Sequence, residues 1–221
     1  MSRALLIVGA FEPELAPLKE RLSRLTPAPT YELHFAAVGV GAVAAAAGTI
    51  KAVQTLNSQG SCFPDLSATH LIFVGSLGGY NQSSPLLRGF LATESRLLAP
   101  EVERGEAYFP APLICSYEAH QPWREQILST LGDRIQSGPV YSPLAISKNS
   151  TLSPKLIQAA EPAGENLELF GIAEACAQLG LSWSALGVVT NRVGPEAHSE
   201  WRKNFETAAE ITADLVCSLF S

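Results

Sequence analysis

Four polar side chains stand where this chain leaves or rejoins its apolar runs, and each could do chemistry at the open end of a sheet. Glu12 comes directly after "ALLIVGAF", a position that in a parallel sheet holds a side chain over the ligand crevice. Ser76, Gly78 and Gly79 belong to "FVGSLGGYN", a glycine-rich turn whose backbone N–H groups and hydroxyl could hold a water or a polar ligand. Glu168 sits among Leu167, Leu169 and Phe170, so its carboxylate is costly to desolvate unless donors, such as a sugar diol, reach it. Asn191 ends "SALGVVTN" and offers two amide protons and an acceptor. Each also has a plainer role: an acid favoured at a helix start, glycines supplying positive φ, an exposed helix face shared with Glu165, and a turn-forming Asn.

Other chemistries fail on spacing. Gly39, Gly41 and Ala44 match G-x-G-x-x-G/A, but a dinucleotide site needs a carboxylate about 20 residues on, at the end of the next strand. Asp65 has the distance but precedes the strand "THLIFVG"; the bland role of the glycines and alanines is close helix-on-sheet packing. A nucleophile elbow needs G-x-S-x-G, and position 74 is Val. His34, His70, His120 and His198 lack metal spacing, and Cys62, Cys115, Cys176 and Cys217 form no Cys-x-x-Cys pair. No cofactor or metal is expected.

Positioning these groups requires alternating strands and helices. "ALLIVGAF" reads as a buried strand and "EPELAPLKERLSRL" as a helix with Leu15, Leu18 and Leu22 in register. "YELHFAAV" precedes "GAVAAAAGTIKAVQTL", and "THLIFVG" leads into the glycine turn. A proline-bearing stretch from about residue 98 to 123 is irregular, after which "QPWREQILSTL" reads as helix and "GPVYSPLAIS" as strand. "GENLELFGIAEACAQLG" is expected as a helix closed by Gly180, "SWSALGVVTN" as a strand, and "SEWRKNFETAAEITADLVCSLF" as a long amphipathic helix. This rhythm predicts an α/β fold, a central, mostly parallel twisted sheet flanked by helices.

Residues 1–221 fit one domain, and 47% hydrophobic content is ample for a core. A net charge of −6 without Lys/Arg runs argues against nucleic acid. The longest apolar stretch, residues 35 to 50, is too short for a bilayer span, so no membrane segment is expected. Scattered cysteines suit a reduced cytoplasm.

Taken in order, these candidates resemble the purine nucleoside phosphorylase and nucleosidase superfamily, and within it the futalosine hydrolases. "VGAFEPELAPLKERL" is similar to the family's opening Gly-Ala-x-Glu-x-Glu, "VGVGAVAAAAGT" to its glycine-rich second unit, and "FVGSLGGYN" to Gly-Ser-x-Gly-Gly. "ENLELFGIA" is similar to Glu-Asn-Met-Glu-Gly-Ala-Ala, and "TNRVGPEAHSEW" to a Ser-Asn-x-Val-Gly stretch with a downstream Trp.

The resemblance implies hydrolysis of an N-glycosidic bond in a small purine nucleoside, without cofactor, by a homodimer. Glu12 would orient and deprotonate the water with Ser76 nearby; Glu168 would hold the ribose and Leu167 pack on it. Asn191 replaces the Asp of adenosine-type relatives. An amide can donate to purine N7 or a 6-oxo oxygen but cannot transfer a proton, which favours hypoxanthine; the resemblance to the futalosine hydrolases implies futalosine as the substrate, in menaquinone synthesis. No Arg cluster prepares a phosphate site beside Glu12 or Ser76, although Arg88 keeps phosphate open. The sequence departs from the family at Leu167 (Met there), at Leu169 and Phe170 (small residues there) and at Gly187 (often Arg). A methylthioadenosine/S-adenosylhomocysteine nucleosidase and a non-catalytic nucleoside-binding homologue therefore stand as alternatives.

Overall fold

The computed structural model describes residues 3–25, 31–58, 69–148 and 154–220; Cys62 and Asp65 lie outside them. The elements run β1 (Arg3–Gly9), α1 (Glu12–Leu22), β2 (Tyr31–Ala37), α2 (Ala42–Ser58), β3 (Thr69–Gly79) and β4 (Gly89–Leu97). There follow α3 (Pro100–Glu103), β5 (Ser116–Glu118), α4 (Gln121–Leu131), β6 (Ile135–Ser142), α5 (Pro154–Gln158), β7 (Gly164–Glu165), α6 (Leu169–Leu179), β8 (Ser182–Arg192) and α7 (Ala197–Cys217).

The central strand is β3, buried along almost its whole length as a continuous apolar run would require. It pairs in parallel with β1 on one side and β8 on the other, and β2 extends the sheet beyond β1. Helices cover both faces. Leu15, Leu18, Ile127 and Leu215 from α1, α4 and α7 pack in one apolar layer, and Ala45, Val53, Ile172 and Cys176 from α2 and α6 in the other.

The expected mostly parallel twisted sheet is corrected: this is a mixed sheet that closes on itself. β8 pairs antiparallel with β4, β4 parallel with β6, β6 parallel with β7, and β7 antiparallel with the end of β3. Closure demands bending where backbones approach, and Gly187 shows why no side chain fits there. A Cβ on it would stand 2.4 Å from the Gly75 carbonyl oxygen and 2.2 Å from Leu77. A register shift between Leu77 and Gly78 adds local twist.

Two sequence expectations also change locally. The β6 strand stops at Ser142, leaving 143–148 as a loop. "GENLELFG" does not start a helix: Gly164–Glu165 form β7, a turn follows, and α6 begins at Leu169. Within residues 98 to 123 lie the short α3 and β5, and α4 begins at Gln121.

Candidate active site

The carboxyl ends of β1, β3 and β8 open into a cavity of about 370 Å³. Of the residues expected to act there, Ser76, Gly78, Leu167, Glu168 and Asn191 line it. Glu12 and Gly79 do not.

Glu12 is displaced by helix geometry. Its side chain is 59% exposed and pairs with Lys19. Glu14, two positions on, is instead buried and lines the cavity. It stands one turn before Leu18 and two before Leu22, so it shares the buried stripe of α1. Its Oε2 accepts the Ala10 N–H at 3.1 Å and its Oε1 the Ser76 N–H at 3.0 Å. Burial pushes the Glu14 carboxyl up to about 7; the Ser76 and Ala10 N–H groups oppose that shift, and the Glu168 charge adds to it. Gly79 lies behind the wall, where an added Cβ would meet the Ser84 carbonyl oxygen at 2.8 Å.

Glu168 precedes α6 and is buried, which overturns the exposed-face alternative shared with Glu165. Its Oε1 accepts the Gly41 N–H at 2.8 Å. Burial raises its pKa, against the Gly41 N–H and the Asn166 side chain, which favour the charge. Asn166 organises this corner: its Oδ1 accepts the N–H groups of Glu168 and Leu169, and its Nδ2 donates to the Ser76 carbonyl at 3.1 Å. Neither Glu14 nor Asn166 was singled out from sequence. The Glu14 signal was its i+4 spacing to Leu18; that of Asn166 was an Asn just ahead of a helix, the usual place for a side chain that takes up free N–H groups.

Asn191 accepts the Thr190 hydroxyl on Oδ1 at 2.8 Å and donates through Nδ2 to the Arg192 carbonyl at 3.2 Å. One N–H and one lone pair of the amide are left for a ligand. The opposite wall is apolar. Phe11 stacks on Phe205 at 5.5 Å, Trp201 packs on Phe205 at 5.2 Å, and His198 stacks on Trp201 at 5.9 Å. Among the described residues, no Lys or Arg lines the cavity. Arg192 is largely exposed and faces Glu200 instead.

No protein-family model matches the sequence, and no curated protein matches it significantly. Solved structures do match it over nearly its full length. A futalosine hydrolase mutant of Helicobacter pylori superposes with a TM-score of 0.80 at 14% identity, covering 98% of this chain and 98% of that one. A 5'-methylthioadenosine/S-adenosylhomocysteine nucleosidase of the same species, complexed with a substituted pyrrolidin-3-ol, gives 0.80 at 14% identity over 99% and 97%. The corresponding Neisseria meningitidis nucleosidase with methylthio-immucillin-A gives 0.78 at 17% identity over 98% and 98%.

The chain has the purine nucleosidase fold. Within that fold Gly41 of the glycine-rich second unit, at φ +88°, delivers its N–H to Glu168. The unusual residues after Glu168 do not obstruct the cavity. Leu169 is fully buried in the core and Phe170 packs on Tyr117 at 5.5 Å, and neither lines the cavity.

Proposed function

We infer that the protein is a nucleosidase that hydrolyses the N-glycosidic bond of a 6-oxopurine nucleoside of the futalosine type, releasing hypoxanthine for menaquinone synthesis. One observation carries this reading: Glu14, Glu168 and Asn191, far apart in sequence, line a single cavity. Glu14 takes the role that the family resemblance implied for Glu12.

In this mechanism the ionised Glu14 accepts a proton from a water near Ser76 and aims it at the anomeric carbon. Glu168 accepts from the ribose hydroxyls, and Leu167 packs on the sugar. As the C–N bond lengthens, positive charge on an oxocarbenium-like ribose lies near two carboxylates. Asn191 donates to N7 or O6 of the departing base, where negative charge collects. The base leaves with the C–N electron pair and takes a proton from solvent, the water oxygen bonds to the anomeric carbon, and Glu14 returns the water's proton to solvent. The absence of Lys and Arg from the described lining supports water over phosphate as nucleophile.

The site operates in the cytoplasm, in a homodimer. Val40, Val43 and Leu144 are exposed apolar residues, and Val40 and Ile146 reach the cavity rim, where a second copy would cover them. Sedimentation velocity checks the dimer, and a monomer at working concentration overturns it.

A second reading, a methylthioadenosine/S-adenosylhomocysteine nucleosidase, draws on a different observation. The wall of Phe11, Val40, Ile146 and Trp201 suits an alkylthio group. Incubation with futalosine, inosine or methylthioadenosine, with and without phosphate, separates these readings by the free base. Phosphate-independent hypoxanthine from futalosine supports the first. Adenine from methylthioadenosine supports the second, and binding without turnover leaves a nucleoside-binding homologue.

A further inference from the structure

One buried carboxylate on the cavity wall is not used by the proposed chemistry. Glu165 ends β7, is buried, and has both oxygens committed to internal donors. Its Oε2 accepts the Tyr80 hydroxyl at 2.6 Å, and its Oε1 accepts the Ser147 N–H at 3.1 Å. Ser147 belongs to the loop that follows β6 and is itself buried, although its neighbour Ile146 is half exposed on the cavity rim. The carbonyl of Ser147 continues the chain of hydrogen bonds by accepting the Gly194 N–H at 3.1 Å. Gly194 lies between Asn191 and α7, which contributes His198 and Trp201 to the cavity.

These contacts join rim segments that no helix or strand ladder connects among the described residues. We propose that Glu165, anchored by Tyr80, is a positioning residue that clasps the Ile146 loop to the Asn191–α7 turn and so sets the shape of the ligand cavity. Ordering a loop costs conformational entropy, and few apolar contacts are available to an exposed rim. A buried side-chain oxygen accepting a backbone N–H supplies a directional hold, and a buried donor left without its partner is costly. Tyr80 fixes the carboxylate in turn: its ring packs edge-on against Tyr141 at 5.8 Å, and its hydroxyl is held protonated by burial and by Glu165.

The chemistry predicts which replacement is tolerated. In Glu165→Gln the amide oxygen can accept from Ser147 while its NH2 donates to the Tyr80 oxygen, so the clasp survives without charge. In Glu165→Leu both donors lose their partner.

Amide hydrogen exchange of the whole protein reads the clasp without any substrate. Glu165→Leu should speed exchange at Ser147 and Gly194 by about tenfold or more while the β3 and β8 core amides keep their protection, and Glu165→Gln should hold both near the parent rate. If Glu165→Leu fails to fold, Glu165→Asp, too short to reach both donors, should speed Ser147 by at least about threefold. Unchanged exchange at Ser147 and Gly194 in the folded variant overturns the proposal. The kinetic arm rests on the nucleosidase reading. There Glu165→Leu should raise KM more than it lowers kcat, with Gln restoring KM, whereas an equal fall of kcat in Gln and Leu would show a charge role and overturn positioning. Should no nucleoside be cleaved, the exchange result still decides the clasp, and only the function fails.

Discussion

Gly41 donates its backbone N–H to Oε1 of Glu168 at 2.8 Å, across 127 positions of sequence. The approach depends on α2 lying close to α6, since a Cβ on Gly171 would stand 1.9 Å from the Ala42 carbonyl oxygen. A small residue on one helix therefore sets the distance between a carboxylate and the N–H that steadies its charge.

Gly171→Ala should push these helices apart, costing about 1–3 kcal/mol of stability and weakening the hold of Gly41 on Glu168. The expected signs are a lower urea midpoint together with a raised KM for the cleaved nucleoside. A lower midpoint with unchanged KM would disconnect the helix contact from the site.

Glu14 must be ionised to act as a base, and burial holds its pKa near 7. kcat/KM should thus rise with pH and level off above about 7. Glu14→Gln should lower kcat by about 10²–10⁴, whereas Glu12→Gln, at an exposed ion pair, should stay within about twofold because surface pairs contribute little. Equal losses in both variants would return the base role to Glu12. Steady-state rates from about pH 5 to about pH 9 make the measurement.

Stability should respond to pH through two opposed groups. His70 is buried, stacked on Trp123 at 4.4 Å, between the hydroxyls of Ser182 and Ser184, and burial lowers its pKa to about 3. Between about 3 and about 6.5 the unfolded chain binds more protons at this site, so stability grows as pH rises. Glu14 has the reverse sign: from about 4.3 to about 7 the folded protein holds the extra proton, so stability declines as pH rises. The two slopes offset one another across about pH 4.5–6.5, and Glu14→Gln should unmask the His70 slope. Urea unfolding at about pH 5 and about pH 6.5 tests this: the variant should gain more stability than the parent between those points.

Asn191→Asp should shift preference toward 6-aminopurine nucleosides by about tenfold to a hundredfold in kcat/KM ratio, because a carboxyl group can pass a proton to N7 and accept from the amino group. Parallel assays on 6-oxo and 6-amino substrates measure it. An unchanged ratio would remove Asn191 from base selection.

Local patterning alone determined the alternation of strands and helices, the buried stripe of α7 and the Gly180 terminus of α6, because burial imposes a period of two or 3.6 that short segments display. It also singled out Ser76, Glu168 and Asn191, which follow or interrupt apolar runs at the ends of elements. Only the tertiary structure puts Glu14, and not Glu12, in the cavity wall. Both acids occupy the first turn of α1, and the choice depends on which one meets the Ala10 and Ser76 N–H groups. Sheet closure through β7 and the hydrogen bonds of Asn166 and Glu165 likewise rest on partners distant in the chain, and a one-dimensional pattern carries no term for the orientation of a carboxylate toward them.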